Sequence, residues 1–479
     1  MRRAAITVAA GLLLAGCTVG PKYRKPSVPL SPAYKEQPPA EFKEAPGWKK
    51  AQPADDTVRV DWWTMFSDPE LNDLEGRVNV SNQNLKAAEA AFRQARALIQ
   101  VNRSYLFPTV GAAPSITGAR ISRNRATGSP VTGIYGDFLA PIDVSYEVDT
   151  WGRVRRSIAA AREQMQATAA DLETIRLSLH AELAVDYFEL RSLDAQKQLL
   201  DETLVAYEKA LDLTRNRYNG GLSSAAEVAQ AQTQLETTRA QDIDVGAARA
   251  QFEHAIAVLA GSTPEALTLA PKPLNATPPA IPVGAPSQLL ERRPDIAAAE
   301  RRVAEANEQI GLARAAFFPT LLITATGGFE SGSLVNWFAW PSRFWAIGPT
   351  ALETIFDAGR RRAIESSATA GYDIAVANYR QTALDAFRQV EDNLAELRIL
   401  EQEEQTQRAA VASAERSLDL SMNRYKGGLV TYLEVATAQT IALQNERAQV
   451  DLLRRRMDAS VLLIKALGGG WNVSKLPNG

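Results

Sequence analysis

The residue types that most often carry chemistry are scarce in this chain of 479 residues. It has one cysteine, Cys17, and two histidines, His180 and His254, so an internal disulfide is impossible and a Cys/His zinc site nearly so. No G-x-S-x-G, H-E-x-x-H or P-loop pattern occurs. Both histidines fall within helical stretches, where we expect them to pack or meet solvent. The sequence therefore argues against an enzyme, a cofactor site and a metal site.

The segment that precedes Cys17 has a recognisable pattern. A positive start and a short apolar stretch, residues 2–14, lead through Ala15 and Gly16 to the cysteine. This is a secretory signal, and small residues directly before a cysteine resemble a bacterial lipobox. That resemblance implies a signal peptide at 1–16, with N-acyl and S-diacylglycerol groups added to Cys17. An ordinary signal peptide with a chance cysteine is the alternative. Bacterial lipoproteins with an aspartate directly after the lipidated cysteine tend to stay on the inner membrane. Thr18 occupies that position here, which favours the outer membrane.

The amino-acid composition restricts which classes of protein remain. Lys plus Arg is 53 and Asp plus Glu is 55, a balance that argues against a general nucleic-acid binder. Hydrophobic residues make up 46% and charged residues 23%, as in folded proteins. Prolines are dense up to Pro53. We therefore interpret 17–61 as a lipid-anchored, extended and exposed tether.

The body is an internal duplication. The segment Asn216–Leu222 returns as Asn423–Leu429, at an offset of 207. Further ordered matches lie at offsets of 207 or 211: Gly152-Arg153 with Gly359-Arg360, Glu189-Leu190-Arg191 with Glu396-Leu397-Arg398, Glu227-Val228-Ala229 with Glu434-Val435-Ala436, and Phe107-Pro108-Thr109 with Phe318-Pro319-Thr320. These matches predict a first repeat over 62–270, a linker over 271–286, a second repeat over 287–470 and a tail over 471–479.

Each repeat is expected to contain a long helical hairpin, near 153–260 and near 360–467. From Arg153 to Tyr218 there is neither Gly nor Pro, which allows a rod of about 100 Å. Leucines and tyrosines at alternating spacings of three and four form a coiled-coil seam along it. A Gly-Gly pair then ends each rod and a partner helix returns, near 224–260 and 431–467. A plain intramolecular hairpin is the simplest interpretation of these segments alone.

The strand pairs, near 109–149 and 320–353, favour a more specific interpretation. From Ile134 to Asp149 the even positions are mostly apolar, whereas the odd positions include four carboxylates: Asp137, Asp143, Glu147 and Asp149. Long strands with one apolar and one polar face suit a membrane β-barrel with a wet interior, which these carboxylates would line. A soluble two-sided sheet is the alternative. Some of the four could instead pair with Arg153, Arg155 or Arg156 where the strands meet the rods.

Four strands cannot close a membrane barrel, because an open edge in lipid leaves backbone groups unpaired at several kcal/mol each. Several copies must therefore share one barrel. Two copies give eight strands and three give twelve, and only the larger barrel leaves an aqueous channel. The predicted fold class is an α+β membrane protein: a trimeric 12-stranded β-barrel, continued by a long α-helical barrel.

The sequence resembles the outer membrane factor family, the trimeric exit ducts of tripartite efflux pumps. The resemblance extends over essentially the whole mature chain. It rests on an ordered set of segments: Cys17–Tyr23, Trp62-Trp63, Phe66–Leu71, Trp151–Arg153, Glu291–Ile296 and the two Arg-Tyr-x-Gly-Gly turns. It is most similar to the lipoprotein branch that works with resistance-nodulation-division pumps. That implies an outer-membrane homotrimer extending into the periplasm, with a mixed equatorial region, a periplasmic adaptor and an inner-membrane pump as partners.

The implied function is passive export of drugs or other small molecules. Two alternatives stand: a duct for type I protein secretion, and a non-channel periplasmic coiled-coil lipoprotein, which would leave the strand pairs unexplained. In the family, ion pairs and hydrogen bonds near the Gly-Gly turns close the periplasmic entrance. The matching residues here are Arg217, Tyr218, Arg424 and Tyr425, with Glu227 and Glu434 as the nearest carboxylates. Both glutamates also fit capping boxes, with Ser224 and Thr431 as N-caps.

Three further clusters have structural interpretations. We expect Trp62 and Trp63 to pack the equatorial region. Residues 291–295, Glu-Arg-Arg-Pro-Asp, read as a salt-bridge cluster at a helix start. The three arginines at 454–456 read as a solvated helix face or an ion-pair patch between subunits.

Overall fold

The fold is described by a computed structural model for residues 18–28, 31–36, 61–122, 133–283 and 286–477. The predicted signal peptide, Cys17 and most of the Pro-rich segment lie outside these residues. Within the described residues, no helix combines the length and the apolar character needed to cross a membrane.

The first half contains helices α1 (Pro69–Ser81) and α2 (Gln83–Ser104), strands β1 (Thr109–Ala112), β2 (Ser115–Arg120) and β3 (Ile134–Val148), and helices α3 (Arg153–Asn219) and α4 (Ala225–Leu259). The second half contains helix α5 (Pro294–Ala315), strands β4 (Thr320–Ser331) and β5 (Arg343–Leu352), and helices α6 (Arg360–Lys426) and α7 (Tyr432–Ala466). The rods α3 and α6 have 67 residues each, and the returning helices have 35 each. The order helix, strands, rod, return helix therefore occurs twice, as predicted, although the limits of the two repeats stay a prediction.

Both rods begin in the same way. Gly152 and Gly359 precede them with φ of 82° and 87°, a left-handed conformation in which a side chain would be strained. An aspartate just upstream accepts from the exposed backbone amides: Asp149 from Val154 and Arg155, and Asp357 from Gly359 and Arg361. Negative charge at a helix N-terminus is favourable, so each strand-to-rod transition is locally encoded.

The strands form one antiparallel sheet of four positions, in the order β1/β2, β3, β4, β5. The first position differs from the prediction of a simple strand pair near 109–149, because two short strands share it. It is interrupted at Ala113-Pro114, because proline has no amide to donate to the ladder. The last position begins at Arg343, directly after a 3₁₀ turn that contains Pro341. In the described part of the chain, the two outer positions are paired on one side only.

The main core surrounds the middle of the rods. Trp62 and Trp63 are almost fully buried there, which confirms their predicted packing role. The Trp63 ring stacks on His180 at 4.4 Å between centroids, and burial lowers the pKa of His180 to about 4. This histidine is therefore a neutral packing residue. His254, in α4, is exposed.

One buried arginine joins three segments in this core. Arg191 of α3 is 2% exposed. Its guanidinium donates to Glu70 of α1 at 2.6 Å, to Asp194 at 2.8 Å and to the carbonyl of Ala270, beyond α4, at 2.8 Å. Asp194 also pairs with Arg249 of α4 at 2.6 Å. The network ties α1, α4 and the segment just after α4 to the first rod.

The arginine cluster at 454–456 differs from its predicted solvated or intersubunit role. Arg454 pairs within the chain with Glu189 at 2.9 Å and Asp458 at 2.7 Å. Arg456 is buried and pairs with Glu404 of α6. The cluster therefore connects α7 to both rods. The helix-start cluster near Arg293 is confirmed, since this arginine pairs with Asp295 at 2.6 Å.

The segment predicted as an exposed tether is different where it is described. Residues 18–28 and 31–36, which we call the strap, are non-helical as expected but lie against the body. The amide of Val19 donates to Trp151, and the amides of Lys35 and Glu36 donate to Glu391 of α6 at 2.7 and 2.9 Å. Specific hydrogen bonds hold this segment, and a proline-rich composition could not reveal them.

The Arg191 network yields a stability prediction. Arg191→Ala would leave Asp194 partly uncompensated in the core, and losing one partner of a buried ion pair costs about 3–5 kcal/mol. We expect a clearly lower thermal unfolding midpoint, measured by circular dichroism on the purified protein. Arg388→Ala is the matched control, because Arg388 is 62% exposed and its ion pairs within the described residues are with Asp385 and Asp392 on its own helix. Equal midpoints for the two variants would contradict the assigned role.

Candidate functional site

The two faces of the sheet have opposite chemistry. Residues paired across neighbouring strands share a face. One row consists of Val110, Val144, Ala325 and Ile347, and the next contains Ala112, Ile142, Gly327 and Trp345. Several of these side chains are exposed in the single chain, Trp345 to 78%. This apolar face has no covering layer among the described residues, and its chemistry matches hydrocarbon.

The opposite face is polar. Its rows include Thr109, Ser145 and Thr324, followed by Gly111, Asp143 and Thr326. Asp137, opposite Thr117, belongs to the same face. Two of the four predicted lumen carboxylates, Asp137 and Asp143, therefore lie on a wet face formed by hydroxyl groups.

The other two carboxylates lie at the junction between β3 and α3. Glu147 accepts from Nε of Arg153 at 2.7 Å, and Asp149 accepts from Nε of Arg155 at 3.0 Å while capping the rod. This is the pairing that the sequence left open as an alternative, so these two are poorer lumen candidates. Arg156 is not part of it, because it pairs with Glu308 of α5.

An aromatic cluster lies at the far end of the sheet. Trp337 stacks on Phe338 at 4.9 Å between centroids, in the connection between β4 and β5. Phe338 and Trp340 are 66% and 73% exposed. Exposed aromatic rings next to an apolar band are typical of a membrane interface.

The two Gly-Gly turns lie side by side at the other end of the molecule, about 100 Å from the sheet by the length of the rods. The amide of Leu222 donates to the carbonyl of Arg217, and the amide of Leu429 donates to that of Arg424. Gly221 and Gly428 have φ of 74° and 75°, which a side chain would strain. Arg217 donates to the carbonyl of Lys426 at 3.2 Å, so the two tips are in contact.

The matching tyrosines of the two tips have different environments. Tyr425 is buried, and its hydroxyl donates to Thr214 of the first rod at 3.1 Å. The Arg217 guanidinium lies 4.8 Å from its ring centroid, a cation–π contact. Tyr218, the repeat mate of Tyr425, is 47% exposed. Arg217 and Tyr425 therefore hold the two hairpins together, whereas Tyr218 is available to another surface.

The tip contains residues that the sequence did not single out as functional. Tyr432 is fully buried and meets Tyr425 edge to face at 5.6 Å between centroids. Burial beside other tyrosines raises the pKa of Tyr432 to about 12, so its hydroxyl stays protonated and donates to Gln439 at 3.1 Å. Thr214 is a buried polar residue in the first rod. Its polar character is explained by the bond to Tyr425.

The two candidate glutamates also differ. Ser224 and Glu227 form the predicted capping box. Partial burial raises the pKa of Glu227, but the hydrogen bonds from Ser223 and from the amide of Tyr432 outweigh it and leave the pKa below its ordinary value. The second capping box is wrong, because the Thr431 side chain caps no amide. Glu434 instead lies 3.4 Å from Arg424, and both side chains are about half exposed.

Among the described residues, no group of His, Cys, Asp and Glu side chains could hold a metal ion. The geometry is that of an extended structure with a two-faced sheet at one end and a polar tip at the other. Comparisons with known proteins agree with it. The outer membrane efflux protein family model matches residues 76–262 and again 285–469. The chain belongs to this family. The two separate matches also agree with the internal duplication.

Individual relatives extend over nearly the whole chain. The toluene efflux pump outer membrane protein TtgF of Pseudomonas putida is 32% identical, with 98% of both chains covered. The outer membrane protein OprJ of Pseudomonas aeruginosa is 33% identical, with 98% of this chain and 97% of OprJ covered. The solved outer-membrane channel OprN has a TM-score of 0.86 at 29% identity, covering 95% of this chain and 100% of that one. The predicted α+β outer-membrane channel fold, location and efflux function are thereby confirmed.

The contacts at the tip lead to a prediction about closure. Replacing both Arg424 and Glu434 by Ala removes an exposed ion pair without unsettling the buried Tyr425–Thr214 contact. We expect a larger single-channel conductance, about twofold or more, and faster vancomycin entry into cells.

The control is the double variant Arg388→Ala, Asp392→Ala, which removes an equally exposed pair from the same helix. An Arg424/Glu434 variant that keeps its assembly and conducts no more than the control would exclude this pair from the gate. The apolar residues Leu429 and Val430 would then be the next candidates.

Proposed function

We propose that three copies of this chain form one exit duct, in which a shared 12-stranded barrel crosses the outer membrane and the rods continue as a helical tube into the periplasm. The single observation that carries the proposal is the sheet: four strand positions, one apolar face, one polar face and two outer positions that the described residues pair on one side only. Joining copies edge to edge satisfies both outer positions. It also turns the apolar face to lipid and the polar face to water.

Three copies suit transport better than two. A barrel of eight strands is filled by its own side chains, whereas a larger one leaves an aqueous passage. Asp137 and Asp143 would then occur three times each around the lumen, and rings of carboxylates favour cations. The chain supplies a wall and a gate to this passage, and no catalytic step.

The rods set the reach of the proposed duct. A 67-residue helix extends about 100 Å, which brings the tips with Arg424 and Glu434 deep into the periplasm. There we propose that the duct meets a periplasmic adaptor and, through it, an inner-membrane pump of the resistance-nodulation-division class. The names of relatives such as the toluene efflux pump protein support small molecules as the cargo.

The experiment that tests this function uses a strain lacking the gene. We expect increased susceptibility to several unrelated toxic compounds, restored by the wild-type gene. Restoration should fail with a variant that has the same expression level but an added proline in β3, which would break the sheet. Unchanged susceptibility together with the loss of a secreted protein would refute small-molecule efflux in favour of protein secretion.

Ion selectivity tests the lumen assignment. We expect Asp137→Asn with Asp143→Asn to reduce the cation preference of the reconstituted channel, measured from the reversal potential in a salt gradient, because six carboxylate charges would leave the lumen. Asp73→Asn with Asp392→Asn is a control of equal charge, since both aspartates are 63% exposed on helices outside the sheet. Equal reversal potentials for the two double variants would contradict the assignment.

Anchoring is a separate part of the proposal. We propose that Cys17 carries N-acyl and S-diacylglycerol groups, on the strength of the lipobox and the single cysteine. Globomycin should then cause the unprocessed precursor to accumulate, and Cys17→Ala should abolish palmitate labelling. Labelling that persists in Cys17→Ala would overturn the claim. Loss of transport is not expected from this variant, because the barrel itself holds the protein in the membrane.

A further inference from the structure

Two arginines lie at the outer end of the sheet, one on each of its two outer strand positions. Arg120 is the last residue of β2, and Arg343 is the first residue of β5. Both are exposed. The rods begin at the opposite end of the sheet, just after β3 and β5. Because the rods extend into the periplasm, the end with the two arginines faces the exterior.

The strand register places both arginines on the apolar face of the sheet. Arg120 lies opposite Ile134, an even-numbered residue of β3, and the even-numbered residues of β3 form that face. Arg343 lies opposite Phe329 and two residues before Trp345, so it shares their face. Toward the exterior, this face therefore changes from aliphatic to aromatic and then to cationic side chains.

The carboxylates at this end of the sheet belong to the opposite face. Among the described residues of the strands, they are Asp137 and Glu330. Glu330 lies opposite Leu139, which is an odd-numbered residue of β3 like Asp137. Both acidic side chains therefore belong to the polar face. On the apolar face, no carboxylate of the described strands balances the two arginines.

The aromatic cluster holds Arg343 at the level of the membrane interface. Its Nε donates to the carbonyl of Trp340 at 2.9 Å, and its guanidinium lies over the ring of the same residue. Phe329, its cross-strand partner, meets Phe338 edge to face at 5.5 Å between centroids. Aromatic rings of this kind mark the depth at which lipid headgroups begin. The positive charge is therefore fixed at the headgroup level.

The two arginines meet only between copies. Within one chain they are separated by β3 and β4, a width of about 14 Å. In the proposed barrel, β5 of one copy pairs with the first strand position of the next, and adjacent strands lie about 5 Å apart. Arg343 and Arg120 then lie on neighbouring strands, at the same end and on the same face. Like charges on neighbouring strands destabilise their pairing, so an anion between them would stabilise the contact.

We propose that each contact between neighbouring copies binds a phosphate group of an outer-leaflet lipid, held by Arg343 of one copy and Arg120 of the next. A guanidinium matches phosphate in charge and in hydrogen-bonding geometry. Below the phosphate, the apolar face with Trp345 and Ile347 fits the acyl chains of the same lipid. The ligand class is therefore a phosphorylated lipid, with three sites in a trimer. This inference rests on the proposed trimeric barrel.

A simpler interpretation is that the arginines extend into water and discourage wrong pairing of the outer strands. It is disfavoured because it leaves two like charges adjacent at every contact between copies. It also predicts that phosphate groups make no difference to lipid binding, and this difference can be measured.

Native mass spectrometry of the purified wild-type protein can count bound lipid molecules. The probes are diphosphorylated lipid A and the same lipid after its phosphates have been removed. We expect up to three bound molecules and an affinity at least about tenfold higher for the phosphorylated probe. Equal affinities would overturn the proposal, and so would inorganic phosphate that binds as tightly as lipid A. The same spectrum gives the mass of the assembly, so the absence of a trimer would instead refute the proposed barrel.

Variants assign the preference to the two arginines. The double variant Arg120→Gln, Arg343→Gln should bind both probes alike. The control is Arg77→Gln with Arg388→Gln, which removes the same charge from α1 and α6, where the two side chains are 46% and 62% exposed. The control should keep the wild-type preference for phosphate. A double variant that keeps this preference would exclude the two arginines.

Mixed trimers test whether the site lies between copies. When Arg120→Gln chains and Arg343→Gln chains are co-expressed with different tags, every trimer that contains both kinds has one contact with both arginines intact. We expect such trimers to bind one lipid A with wild-type affinity, whereas trimers of either single variant bind at least about fivefold more weakly. Mixed trimers that bind no better than the single variants would show that the site does not combine two copies, and would overturn the proposal.

Discussion

The rest of the structure depends on the unsatisfied edges of one sheet. In water, an exposed strand edge is hydrated, but in hydrocarbon each unpaired amide or carbonyl costs several kcal/mol. The apolar face that includes Val144 and Ile347 places this sheet in hydrocarbon, so both outer strand positions must find partners outside the described chain. Assembly is therefore a condition for the membrane-inserted state and not an addition to it. The sheet that carries the rods, tips and strap is complete only when other strands pair with both of its outer positions.

Duplication supplied two similar hairpins, and their tips then acquired different roles. In the first, Glu227 caps a helix and accepts the amide of Tyr432, while Arg217 covers Tyr425. In the second, the corresponding Glu434 and Arg424 face solvent and pair weakly with each other. One tip thus uses Arg217 and Glu227 to join the hairpins, whereas Arg424 and Glu434 of the other remain about half exposed. A strict repeat would have made both tips equally rigid or equally loose.

Much of the fold could be predicted because it depends on periodicity. The rods, return helices and strand β3 lie within one or two residues of the expected limits, since heptads, alternation and Gly-Gly breaks act locally. The prediction was less accurate where a single proline decides, as at Pro114 and Pro341. Sequence patterns did not predict the contacts between segments that are far apart along the chain. Two examples are the buried hydrogen bond from Tyr425 to Thr214 and the hydrogen bonds from Arg156 to the strap. Both depend on tertiary contacts, which no local sequence pattern records.

The equal lengths of the hairpins have a consequence for how such a chain can change. Arg153 and Arg360, Asn219 and Lys426, and the ends of the returning helices are all separated by the same 207 positions. Between the two hairpins the amino-acid sequence differs widely, whereas the lengths of the rods and of the returning helices are identical. A seven-residue insertion in one rod would stagger the two tips by about 10 Å and separate Arg217 from its aromatic partner. Lengthening is therefore tolerable only when both hairpins change together, so each hairpin constrains the length of the other.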